Sequence, residues 1–563
     1  MDCSILLDDA AERRYPTNFI TGFLAHLSIK AKNKSLGGFP MKKLLSLFLA
    51  AAVSCSMLAA CGSDNTSSTP TPSPEETKVP EKTENVSTAE PTPEAKEPID
   101  CLYVIPGDAP KDLEGGLKAI NGKMEADGVG VILSMSFIPW DAWDQKLNLM
   151  LSTGEKSDMF QVMNDRTSLS NYASRDALAD LTELVEQYGP NIKKANPELA
   201  MKSATVNGKL YAIPAYWIET ALAPELTLRL DILKKYGMTE VPKTFEELTT
   251  AFETVFNNWE GVGKPYYPLL GSTTSSVGIA DKTYDEWPFV VYDRVFYVDQ
   301  KGNVENYFET DVFRKNCENT RLWYEKGLIS PDVLTTTSDQ HTNRLNSGDW
   351  FFISGSIGDI GPLKTNYPDI TTEDFVSVDL APEKPYVRPY GARNMNAVPL
   401  SSEHPEAAVL LTNWIYANQD NYDLFLYGRE GTDYEKVEPR QRTPINDPVT
   451  MQPPYSFADW MIGNVNMVRT SVTAPKATND TLYVLKTDAV DGYASSFTFN
   501  AEKVQTQFTD VQTQILAYIT PIACGVKDYE SNIDEALSML KAAGADELIA
   551  EFKKQLEESK ASN

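Results

Sequence analysis

The segment "IDCLYVIPGDAPKDLEGGLKAINGKMEADGVGVILSMSFIPW", residues 99 to 140, constrains the fold more than any other stretch of the chain. An apolar strand, Leu102 to Ile105, runs into a polar turn, then a helix-patterned segment, Lys111 to Ala126, then a second strand, Val129 to Ile138. That order and spacing predict a parallel strand–helix–strand unit. "WDAWDQKLNLMLSTGEKSDMFQV" repeats it: a helix with Trp143, Leu147, Met150 and Leu151 on one face, a turn, and a short strand. "DALADLTELVEQYG" reads as a further amphipathic helix. Alternation of this kind predicts an α/β fold with ligands at the strand C-termini. A chain of 563 residues is long enough for two or three domains.

Everything before Ile99 reads differently. Met41, Lys42 and Lys43 precede an apolar run from Leu44 to Leu58 and then Ala59-Ala60-Cys61, the pattern of a secretory signal. The run is short for a membrane-spanning helix. Residues 1–40 carry no pattern of their own and are read as lying upstream of the true start at Met41. Leu58-Ala59-Ala60-Cys61-Gly62 resembles the lipobox of bacterial lipoproteins, which implies lipidation of Cys61. Two acyl chains hold a protein at a membrane where one does not. From Gly62 to Pro98 there are seven prolines and no aromatic residue, leucine or isoleucine, so this stretch is expected to act as a disordered tether.

The net charge of −28 argues against nucleic acid or anionic lipid as partners of the folded surface. Only Cys101, Cys317 and Cys524 follow Cys61, so at most one disulfide can form among them. With three histidines, well separated, and no paired cysteines, no metal site or cofactor is expected.

"NGKLYAIPAYWIETALAPELTLRLDILKKYGMTEVPKTFEELTTAF", residues 207 to 252, resembles the hinge-proximal segment of family 1 extracellular solute-binding proteins of ABC importers, the maltodextrin-binding superfamily. The matching positions are Gly208, Lys209, Tyr211 and Pro214, then Arg229, Asp231 and Gly237, then Pro242, Thr244, Phe245, Glu246, Glu247 and Leu248. Thr244 and Glu247 have capping-box spacing, and Gly237 stands where a left-handed helix cap is expected. "SGDWFFISGS", "YGARNMNAVPLSSEHPEAAVLLTNWIY", "DQKGNVENYFETDVFRKNCENTRLWYEKGLISPD" and the tail "AAGADELIAEFKKQLEE" extend the similarity over most of the chain after the tether.

The resemblance implies a two-lobed periplasmic-binding-protein (type II) α/β fold with hinge-linked lobes and a ligand cleft between them. Its implied layout is lobe I over 99–210 and 391–450, lobe II over 211–390, and a C-terminal helical segment over 451–563, mainly in lobe II. It also implies a monomer that delivers an oligosaccharide to the transmembrane subunits of an ABC permease, touching the membrane only through its anchor. A peptide or other non-sugar ligand, or a surface sensor or adhesin on the same fold, stays open as an alternative.

Sugars offer C–H faces and ring-plane hydroxyls, so their sites combine flat aromatics with planar polar side chains. Nine tryptophans and 26 tyrosines supply the aromatics. Trp140 lies just past a strand end; Trp143, three residues on, is assigned to the core. Asn164, Asp165 and Arg166 in "MNDRTS" are similar to the turn with which maltodextrin binders hold hydroxyls, or form a salt bridge within the loop. Trp217, Trp287 (on a loop before Pro288, exposed as a platform or packed into a core), Tyr390, Arg393, Asn394 and Trp460 complete the candidate ligand set. The family's loop at Tyr390–Asn394 usually has two glycines, whereas only Gly391 stands here. Trp259, Trp323, Trp350 and Trp414 are assigned to the core. No G-x-S-x-G, H-E-x-x-H, P-loop or dinucleotide fingerprint occurs, and "KGN" at 301–303 reads as a hairpin turn, so catalysis is not expected.

Overall fold

The computed structural model describes residues 97–164, 166–217, 226–271, 278–483 and 489–561. The signal, Cys61, the tether and Asp165 lie outside the described residues. Pro93–Asn563 form one compact unit.

The predicted strand–helix–strand unit is present: β1 (Ile99–Pro106), α1 (Leu113–Ala126) and β2 (Val131–Ile138). α1 starts two residues later than expected because Asp112 caps it, accepting from the Gly115 N–H. β2 also starts two residues late, since Gly128 (φ +68°) and Gly130 (φ +72°) turn the chain in a left-handed conformation. α2 (Trp143–Thr153) buries Trp143, Leu147 and Met150, and β3 (Met159–Met163) is buried throughout. The helix expected from "DALADLTELVEQYG" is only Thr182–Tyr188. The preceding residues take extended bonds instead, Ala179 N–H to Val398 O and Leu181 N–H to Leu210 O.

β1 pairs in parallel with β2 and with β3. The sheet is completed from far along the chain by β4 (Ala212–Pro214) and β5 (Asn394–Ala397), giving the order β2-β1-β3-β5-β4. β5 is antiparallel to both β3 and β4, so β4 runs in the direction of β3. The core around this sheet draws on Cys101–Ile213 and returns for Ala392–Ile462.

Separate cores hold the rest. One, built on the antiparallel strands Leu226–Arg229, Phe352–Ser354 and Phe375–Val378, centres on Trp323 with Phe245, Phe252 and Phe352. Another joins the hairpin Phe289–Asp299 to the C-terminal helices, Tyr529–Ala542 and Ala545–Ala561. The Arg229-x-Asp231 motif is structural here: the fully buried guanidinium donates from Nε and Nη2 to Asp231 at 2.9 and 2.5 Å, and from Nη1 to Gly348 O. Thr244 caps Phe245–Asn257 by accepting from Glu247 N–H, and Gly237 has φ +77° as expected. "KGN" is the hairpin turn, with Asp299 accepting from the Lys301 and Asn303 amides. Trp323, Trp350 and Trp414 are buried, whereas Trp259 is only half-buried, because it falls past the helix end and stacks on Tyr236. Cys101, Cys317 and Cys524 are buried free thiols.

Candidate functional site

The topology brings the turns after β1, β2, β3 and β4, and the entry to β5, to one edge of the sheet. Open α/β sheets bind ligands at this edge. Four stretches singled out in the sequence meet there: Trp140 past β2, Asn164 and Arg166 past β3, Trp217 past β4, and Arg393 and Asn394 entering β5.

Trp140 and Trp460 form the centre. After Pro139 the chain makes one 3-10 turn, Trp140–Ala142, leaving the indole half-buried. Gly107, at φ +109°, lets it lie close, since a Cβ there would stand 3.3 Å from the indole Nε1. Trp460, on the single-turn helix Asp459–Ile462, stacks on Trp140 with centroids 6.0 Å apart and planes 29° from parallel. Arg166 places its guanidinium 5.7 Å from the Trp140 ring centroid, a cation–π arrangement. Its Nε donates to both carboxylate oxygens of Asp144, at 2.9 and 3.1 Å, and its Nη2 to Trp140 O at 3.3 Å. Beside Trp460, burial pushes the Asp459 carboxyl up to about 6.

The remaining candidates fare differently. Asn164 is buried and its amide is spent on the backbone, donating to Ala392 O and accepting from Leu169 N–H. It joins the turn after β3 to the loop before β5. Trp217 is half-buried and Arg393 exposed, while Asn394 is buried within β5. Tyr390 is half-buried, meets Tyr292 edge-on at 5.4 Å and lines a small cavity with Asn164. Trp287 takes the packed alternative: it is 7% accessible, donates from Nε1 to Pro385 O at 2.8 Å and packs edge-on against Phe289. The hairpin that follows it folds the loop back into the core.

Two residues of this edge escaped sequence reasoning. Asp144 orients Arg166, and Asp141 accepts from Ser338 Oγ at 2.6 Å and from Ser338 N–H at 3.3 Å, at the start of the helix Ser338–Ser347. Both stand in "WDAWD", where the aspartates flanking each tryptophan were the available signal. Among the described residues no cluster of His, Cys, Asp or Glu suits a metal ion.

The arrangement is an aromatic platform with a planar cation at its rim, suited to holding a polar, flat-faced solute. A family model described as bacterial extracellular solute-binding protein matches residues 122–429, more than half of the chain. The chain belongs to this family. A second model, a domain of unknown function (DUF3502), matches residues 493–561 of this solute-binding protein. A carbohydrate ABC transporter substrate-binding protein of Streptococcus pneumoniae serotype 4 is 24% identical over 470 residues, covering 82% of this chain and 91% of the relative. Among solved structures, the N-glycan transport solute-binding protein NgtS of Streptococcus pneumoniae, in complex with Man1GlcNAc, superposes with a TM-score of 0.67 at 21% identity, over 82% of this chain and 99% of that one. The same organism's FusA, in complex with kestose, gives a TM-score of 0.58 at 17% identity, over 82% of this chain and all of that one. The fold is therefore the two-lobed α/β type of these solute-binding proteins.

Proposed function

We propose that this solute-binding protein captures an oligosaccharide for an ABC importer, holding a sugar ring at the Trp140–Trp460 platform with Arg166 on its hydroxyls. The observation that carries the reading is that pair: two tryptophans, far apart in sequence, stacked at the sheet edge where ligands bind, with a guanidinium over one of them. Names among the relatives agree, since they include carriers of N-glycans and fructooligosaccharides. The protein works without catalysis. Lobe I is the five-stranded body, and lobe II is formed by the cores that draw on residues 226–387 and 494–556. Ligand stabilises the closed arrangement by touching both lobes, and closed protein docks on the permease. Cys61 carries the lipid that keeps the receptor at the outer membrane face, and the tether lifts a monomer clear of it.

Calorimetric titration with neutral oligosaccharides and with short peptides tests this reading. Binding of one glycan class, weakened about tenfold to a hundredfold in Trp140→Ala, is expected. Binding of peptides alone would sink it.

A further inference from the structure

A cavity of about 400 Å³ opens at a different place in the molecule, between the short hairpin Thr205–Leu210 and the C-terminal helix Ala545–Ala561. It includes neither Trp140, Trp460 nor Arg166, although Phe497 and Thr498 also line a smaller cavity with Asn164 and Tyr390. The topology separates it from the tryptophan platform as well. β4 ends at Pro214 on the platform edge, and the hairpin precedes the other end of that strand. The volume lies in the lower part of the small-molecule range, about 300–1,000 Å³, and far exceeds what one water requires.

Its lining has a definite chemistry. Phe497 is half-buried and held edge-on by Phe552, at 5.3 Å and 85°, so its ring is fixed. Gln555 of the helix clamps the facing loop, donating from Nε2 to Asn500 O at 2.8 Å and accepting from Asn500 N–H at 2.9 Å. Asn500 Oδ1 accepts from Glu502 N–H, but its Nδ2 has no partner among the described residues. The side chains of Asn207, Ser496, Thr498 and Glu502, which line the same space, also have none there. One fixed aromatic face with unspent amides, hydroxyls and a carboxylate is the complement of a neutral polyhydroxylated ring. Glu502 and Glu558 outweigh Lys503, which disfavours an anion.

Nine of the twelve lining residues fall within 493–561, the segment matched by the domain of unknown function; the other three are Thr205, Val206 and Asn207. Val206 belongs to the first core and Phe497 packs against the C-terminal one, so the pocket has one wall on each body. We infer that residues 493–561 build a second site for a neutral sugar, closed on its far side by the Thr205–Leu210 hairpin. A ligand there bridges the two bodies, so its occupancy depends on their relative orientation.

Saturation-transfer NMR on the full chain tests this, with an equimolar mixture of maltose, cellobiose and lactose as probe and Trp140→Ala as parent. The parent is expected to keep transfer to at least one disaccharide. Adding Phe497→Ala should reduce that transfer about tenfold. Because Phe497→Ala also loosens Phe552, Ser496→Arg serves as the second variant: Ser496 is exposed, so arginine blocks the mouth and leaves the core alone. It should remove the transfer while the melting temperature stays that of the parent. No transfer in the Trp140→Ala parent, or transfer that survives Ser496→Arg, would overturn the second site. Wild-type binding that is indifferent to Trp140→Ala but abolished by Ser496→Arg would uphold it and refute the platform instead.

Discussion

Trp140 and Trp287 look alike in sequence, each in a polar loop beside a proline, and the structure gives them opposite roles. Trp140 follows a parallel strand at the ligand edge of a sheet, half-buried and stacked on Trp460 with Arg166 over its ring. Trp287 is sealed into a second core, with its N–H satisfied by Pro385 O. A loop position does not make an aromatic a platform. What decides is whether the turn leaves a sheet edge and whether the core behind it is already full.

The strongest way to break this comparison is to delete both rings. Trp287→Ala is expected to cost about 3–5 kcal/mol of stability, the range for large aromatics removed from a core, with binding unchanged in the protein that remains folded. Trp140→Ala is expected to leave melting nearly unchanged and weaken oligosaccharide binding by about tenfold to a hundredfold. Calorimetry and thermal melting on the two variants decide it. A fall in melting temperature for Trp140→Ala with normal binding would exchange the two roles.

Arg166 and Asp144 sharpen the same contrast at smaller scale. Arg166→Lys keeps the charge but loses the planar fork, and is expected to weaken binding about tenfold. Asp144→Asn should give part of that loss, because it frees the guanidinium without removing it. The pair is substantially exposed, so neither change should cost more than about 1 kcal/mol of stability. Equal affinities for Asp144→Asn and wild type would mean that Arg166 holds its place without help.

The central sheet was legible in the sequence because alternation of period 2 and period 3.6 is a local signal, as from Ile99 to Ile138. The order of its last two strands was not, since β5 reaches β3 across a long separation and pairs through backbone bonds that carry no side-chain signature. Turn chemistry shifted boundaries in a readable direction: Asp112 and the glycines at 128 and 130 each delayed an element. At the site, Trp140, Arg166 and Trp460 could be chosen from strand ends and motif resemblance, but their meeting could not. Asn164 could not be told from a ligand-holding amide, because only the fold shows both its ends bound to backbone. Trp287 could not be decided between platform and core, because the partner of its N–H, Pro385 O, stands nearly a hundred residues on.

The seam between the two bodies offers a contrast in pH. Asp293 sits at the tip of the hairpin Phe289–Asp299 with φ +46° and lines one small cavity with Ser168 of the first body. Burial, the main cause, pushes its carboxyl from 3.8 up to about 7, with Arg294 opposing. A carboxyl raised in the folded state binds its proton more tightly there than in the unfolded chain. Its contribution to stability is thus greatest near pH 4, declines as pH rises towards about 7, and is level above. Asp281, also raised to about 7 by burial, has the same sign but lies on Asn316 within one body. Melting curves across this window should therefore slope downwards, and Asp293→Asn should remove part of the slope and leave that of Asp281. A slope unchanged in Asp293→Asn would assign all of it elsewhere.

Asp141 gives the smallest and most specific test. The residue after Trp140 bonds to Ser338 on the helix Ser338–Ser347, whose N-terminus Thr337 and Gln340 already close with a capping box. Helix stability therefore does not rest on Asp141, and what it adds is a tie between the platform turn and the facing body. Such an exposed bond is worth about 0.5–1.5 kcal/mol at most. Asp141→Ala is expected to leave melting unchanged and lower oligosaccharide affinity a few-fold, with the ligand-free protein more extended in solution scattering. If affinity falls while the scattering profile stays the same, Asp141 touches the ligand directly and belongs with Trp140 and Arg166 on the platform. If neither moves, closure depends on contacts deeper in the cleft, and the tie to Ser338 merely accompanies it.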